Sequence, residues 1–184
     1  MLRPTLLAAL ALAVASGAAA QHDHSHGADG HDTRVPSGLS ADDVAGLLSG
    51  AGLGMARPAE LHGYPGPLHV IELAEPLQLT DAQRATAERL RAEMLAAAVP
   101  LGRQLVDAER SLDAVFVSGT ATAVDVERAV AQAAAVHARL RAVHLRAHLE
   151  MREALTDDQL RAYARLRGHD DPHAGHGHRG HAHD

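Results

Sequence analysis

Apolar positions recur along the chain at helical spacing, and nowhere do apolar and polar residues alternate as they would in a half-buried strand. From Asp81 onward Leu90, Met94, Ala97, Leu101, Leu105, Ala108, Leu112 and Val115 step by three or four. The steps predict one amphipathic helix of about 37 residues ending at Val117. Pro100 lies inside it and removes one backbone donor, which predicts a kink rather than a break. The stretch SGTAT, residues 118–122, turns the chain, and Thr122 with Asp125 caps a second long helix running to about Ala154. Its apolar face is Val126, Ala129, Ala133, Val136, Leu140, Val143, Ala147 and Met151. Two long helices joined by so short a turn lie antiparallel.

Shorter elements flank this hairpin. Ser40, with Asp43 three residues on, caps a helix through Leu48 that GAGLG at 50–54 interrupts. A second short helix is expected from about Ala56 to Leu61, ended by the turn cluster GYPGP at 63–67. LHVIELAEPLQ, starting at Leu68, then reads as a helix of three turns, and Asp157 to Leu166 as a short C-terminal helix folding back.

One pentapeptide nearly repeats: LTDAQ at 79–83 returns as LTDDQ at 155–159. Thr80 with Gln83 and Thr156 with Gln159 are both capping boxes, in which the hydroxyl accepts from the backbone N–H three residues on and the amide reaches back. Asp81, and Asp157 with Asp158, put negative charge in the first helical turn, where the helix dipole favours it. Leu155 and Leu160 also fit hydrophobic-staple positions, whereas Arg84 stands at the matching place in the first copy, after Leu79.

The two ends read differently. Residues 1–20, MLRPTLLAALALAVASGAAA, have the charged, apolar, small-residue order of a cleaved signal peptide, with Gln21 the first mature residue. The alternative is an uncleaved anchor, but the apolar run from Leu6 to about Ala15 is shorter than the ~20 residues a spanning helix wants. Residues 21–38 and 169–184 are polar, Gly-rich and aperiodic and read as disordered tails. Residues 39–76 then hold the short helices and the GYPGP turn, and 77–168 the hairpin domain.

Composition narrows the function classes. Cysteine is absent, so no disulfide and no thiolate metal site is available. Lysine is absent too, which removes a P-loop lysine and Schiff-base chemistry and argues against an ATP-driven machine. Seventeen basic residues, all Arg, against 23 acids, with three aromatic residues in total, argue against a nucleic-acid binder. No G-x-S-x-G or H-E-x-x-H string is present, so the expectation is a protein that is not an enzyme. An apolar stripe this long and this poor in aromatics is expected to need a second copy of the chain to seal it.

An export signal, an L-T-x-x-Q box opening a long helix, a helical hairpin and a second box near the C-terminus together resemble the Spy/CpxP family of LTxxQ-motif periplasmic proteins. That group includes the CnrX- and ZraP-type metal-responsive proteins. LQLTDAQ at 77–83 and EMREALTDDQLRAYARL at 150–166 carry the resemblance, which covers roughly residues 68–168. It implies an all-α hairpin that dimerises into a curved cradle, works without ATP, and serves envelope stress response, chaperoning or metal sensing. Its implied partners are a membrane sensor or anti-sigma protein, or unfolded envelope proteins. Chaperone members of the family have a basic concave surface. Here residues 76–168 carry 13 Arg against 12 acids, a nearly neutral body.

Histidine supplies the candidate chemistry. His22, His24, His26 and His31 lie in the first tail, and His169, His173, His176, His178, His181 and His183 in the second. Neutral imidazoles in flexible H-x-H strings suit divalent Zn, Ni, Cu or Co and discriminate poorly among them, the alternative being solubilising low-complexity tails that happen to be rich in His. His137, His144 and His148 form a further stripe on the second long helix, along the edge of its apolar face, with Glu150 and Met151 nearby. H-x3-H spacing lets two imidazoles share a metal, and the alternative is that the three line the helix seam. Metal-sensing members of the family use His and Met on this helix. His62 and His69, flanking the turn cluster, read as turn or surface residues.

Overall fold

A computed structural model describes residues 34–168. Those residues form six helices and, among them, no strand: α1 (Ala41–Ser49), α2 (Arg57–Leu61), α3 (Pro67–Glu72), α4 (Asp81–Val117), α5 (Ala123–Glu153) and α6 (Asp157–Leu166). The signal segment, the ten tail histidines and the rest of residues 1–33 and 169–184 lie outside the described residues. No described helix is long and apolar enough to cross a membrane.

The longer helices start where a hydroxyl can take an orphan N–H. Ser40, Thr80, Thr122 and Thr156 each accept from the backbone N–H three residues on, and the Ser40, Thr80 and Thr156 sites are complete capping boxes. α4 runs through Pro100 to Val117 without a break. α5 packs along it in the opposite direction: Gln83 at the start of α4 donates to the Ala154 carbonyl just past α5, and Arg139 near mid-helix donates to Gln104.

Buried side chains fall into two clusters. One, around Leu47, Ala98, Leu105, Val106, Val136 and Leu140, joins α1 to the middle of the helix pair. The other gathers Val70, Leu77, Ala87, Leu90, Met151 and Tyr163 at the end of the pair where α6 folds back. Leu155 and Leu160, the staple residues of the second box, pack into this second cluster, as does Leu79 of the first.

Three expectations change. The stretch after the GYPGP turn forms six helical residues rather than three turns, because Pro76 has no N–H to give the Glu72 carbonyl and its ring would strike it. The chain reaches Leu79 through turns instead, with Gln78 at a left-handed φ of 50°. Residues 34–38, read as the end of the disordered tail, lie against α4. Pro36 is buried, the Ser37 N–H donates to the Asp113 carboxylate at 2.6 Å, and Arg110 donates to the Arg34 carbonyl. On α4 the expected stripe is broadened: Ala97 is exposed while Ala98, Gly102 and Val106 are buried, since α1 docks on a second face. A Cβ on Gly102 would stand within 2.0 Å of the Leu47 carbonyl oxygen, so only glycine permits this approach.

Candidate functional site: a histidine cavity beside a paired-amide lock

The recurring pentapeptides meet. Gln83 Nε2 donates to Gln159 Oε1 at 2.8 Å, and Gln159 Nε2 donates back to Gln83 Oε1 at 3.0 Å. The remaining amide hydrogens go to the Ala154 and Leu77 carbonyls, and each side-chain oxygen also takes the N–H of its own threonine. Each glutamine therefore caps its own helix and clamps the other's. A bare capping function requires only the local bond, so this reciprocal pairing is a physical reason for the motif to occur twice.

The histidine stripe divides. His144 and His148 are buried, at 3% and 7% exposure, and both face a cavity of about 690 Å³ between the helix pair and the segment 49–69. His137 is exposed and lies on a separate groove with Leu53, His62 and Arg141. His62 is a surface residue, its Nδ1 bonded to the Pro58 carbonyl. His69, by contrast, is half-buried on α3, lines the histidine cavity, and contacts Glu72 at 3.0 Å and Glu60 at 3.4 Å.

The turn cluster places the pair. GYPGP is rigid where it must be: Pro65, Gly66 and Pro67 are all buried. Arg152 holds the turn onto α5, donating to the Gly63 carbonyl at 2.5 Å and lying 4.8 Å over the Tyr64 ring. The Tyr64 carbonyl then meets His148 Nδ1 at 2.9 Å. A carbonyl only accepts, so that nitrogen carries a proton, and in the neutral ring the lone pair is then on His148 Nε2. A Cβ on Gly66 would come within 2.9 Å of this ring, so the second glycine of the turn is what admits it.

His144, one turn earlier, has no such tether. Its Nε2 is buried without a hydrogen-bond partner, while its Nδ1 side faces the backbone at Gly52. Burial, and then the neighbouring His148, hold its pKa below the usual imidazole value. The neutral form therefore dominates at neutral pH, and a neutral imidazole is the form that binds metal.

Charge in the cavity is not what a cation site would choose. Arg57 and Arg91 line it and neither makes an ion pair with a described acid. Glu60, the one acid of the lining, is engaged by His69 and by Arg167 at 3.7 Å. Beneath Glu60 lies Tyr163, whose hydroxyl pKa burial pushes up to about 12, with the Glu60 charge adding to the shift. Among the described residues no group of three or more His, Asp or Glu converges. Sequence reasoning missed Gly52, Gly66, Arg57, Arg91 and the Tyr64 carbonyl. Only the G-Y-P-G-P pattern signalled that this turn had a demanding backbone. No protein-family model matches the chain, and neither a curated protein nor a solved structure does.

Proposed function

We propose that the protein is a periplasmic metal-binding protein of the Spy/CpxP type, buffering or sensing divalent transition metals in the envelope stress or metal-resistance response. The observation that carries this reading is the His144–His148 pair. Two imidazoles one helical turn apart face one cavity, one with a buried unpartnered Nε2 and the other with its Nδ1–H fixed so that Nε2 is free. Ten further histidines in the tails add capacity for Zn, Ni, Cu or Co.

In this reading the chain works as a dimer of hairpins forming a cradle, and reports to a membrane sensor or anti-sigma partner. The outer side of α5 supports a second copy. Ala131, Ala135, Ala138, Ala142, Leu145 and Leu149 recur there at coiled-coil spacing, and all but the half-buried Leu145 are exposed. Laid antiparallel against its twin, this stripe sets each leucine opposite an alanine, a large-to-small fit.

Calorimetric titration with Zn(II), Ni(II), Cu(II) and Co(II) tests the reading. The full chain should bind at neutral pH. His144→Asn with His148→Gln, which keeps a donor for the Tyr64 carbonyl, should lower the stoichiometry by about one ion per chain at unchanged helix content. A full chain that binds none of the four metals would reject it. A second reading, an ATP-independent chaperone for unfolded envelope proteins, draws on the apolar surface at Phe116, Val117 and Val124. Suppression of client aggregation that is lost on replacing these three by Ser, in a chain that binds no metal, would favour it.

A further inference from the structure

Three features of the histidine cavity do not suit a bare divalent ion. Its volume of about 690 Å³ lies within the range of small-molecule sites and far exceeds what a bare ion fills. The chain offers two imidazole nitrogens and no third His, Asp or Glu converging with them among the described residues, which leaves most coordination positions open. Arg57 and Arg91 outnumber the one lining acid, Glu60, which is already tied to His69 and Arg167, so a lone cation would enter a cavity with net positive charge.

We infer that this cavity takes a transition-metal ion already chelated by a small organic polycarboxylate, with His144 and His148 binding the metal and Arg57 and Arg91 the carboxylates. The inference rests on the metal reading above and specifies its ligand. Each mismatch becomes a match under it. The chelator fills the volume and completes the coordination shell, and a one-to-one complex of a divalent ion with a tricarboxylate is singly negative. Guanidinium and carboxylate pair in planar, bidentate fashion, which Arg supplies and Lys does not. The apolar wall at Met94, Leu95 and Leu68 packs against the methylene groups of the acid. No bond is made or broken within the ligand: the imidazoles replace water on the metal, and no electron moves.

The test is a sign. Citrate strips nickel from an ordinary two-histidine site by mass action, and it must promote binding here. Equilibrium dialysis of the full chain with Ni(II), with Ni(II)–citrate, and with radiolabelled citrate alone is compared with the same series on His144→Asn/His148→Gln. The difference between the two proteins subtracts the tails. The expected difference is about one nickel per chain, held at least tenfold more tightly with citrate than without it, and about one citrate per chain only when nickel is present. Arg57→Gln/Arg91→Gln should weaken that uptake at least tenfold, about 1.4 kcal/mol, while nickel bound by the tails stays the same. A nickel difference that appears without citrate and disappears with it would overturn the inference and leave the metal reading intact. Equal citrate uptake without nickel would make the cavity a site for free acid and overturn it too. No difference under any condition would remove His144 and His148 from both readings.

Discussion

The two ends of the long helix pair are built from the same two helices and could hardly be finished more differently. At the base, where α4 begins and α5 ends, two capping boxes exchange amide bonds over a floor of Met151, Leu77 and Tyr163, each at most 2% exposed. At the tip, every residue from Phe116 to Val124 is exposed, with Val117 at 77%. At the base the two glutamine amides satisfy one another and the apolar floor is out of reach of water. The tip has apolar groups that only water reaches among the described residues. The contrast shows that the base is closed by what folds back onto the pair there, α3 and α6, and not by the pair's own length.

The sharpest way to break this contrast is to delete a large side chain at each end. Tyr163→Ala should cost about 3–5 kcal/mol in urea unfolding, whereas Phe116→Ser should stay within about 0.5 kcal/mol. Comparable losses at the two ends would mean that the tip is covered in solution, as a dimer or a client complex would cover it.

Alkaline pH offers a finer probe of the base alone. The Tyr163 hydroxyl has its pKa raised from 10.0 to about 12, so above pH 10 the unfolded chain releases this proton before the folded one does. Stability should therefore fall as pH rises from 10 towards 12. The chain has no lysine or cysteine to titrate in that window. Tyr163→Phe should flatten the slope in thermal melts recorded across it; an unchanged slope would place the cause elsewhere.

The smallest effect isolates the amide lock. A double-mutant cycle on Gln83→Ala and Gln159→Ala should show coupling of about 1 kcal/mol. The same cycle on exposed Gln104 and Arg139, which share one bond at 3.1 Å, should show almost none. Additive behaviour at the glutamines would reduce the boxes to independent caps.

Much of the base was readable before any coordinates. Helical spacing gave α4 and α5 their limits, and hydroxyl residues followed three positions on by Asp or Gln gave the helix starts. The pattern could not show that Gln83 and Gln159 find each other across 76 positions, because a capping box looks the same with or without a distant partner. The site was legible only in part. His144 and His148 stood out by spacing, yet the stripe that joined them to His137 ignored α2 and the turn after it, which cover one end of the stripe and leave His137 bare. Arg57 and Arg91 looked like any surface arginine, since what distinguishes them is that the fold brings both to the histidine cavity. That is a property of the neighbours and not of the residue.

The amide lock also sets an order in time. The turn at 118–122 brings α4 and α5 together by closing a loop of a few residues, whereas Gln83 and Gln159 meet only by closing one of 76. Chain entropy makes the second closure dearer by about 2 kcal/mol, so contacts should form first at the exposed tip and travel towards the base. The least protected end of the molecule is then where folding begins, and the last contacts to arrive are the ones that keep it shut. Interactions absent from the transition state govern how fast a protein comes apart. The repeated pentapeptide would accordingly act on the lifetime of the folded chain far more than on the speed of its making.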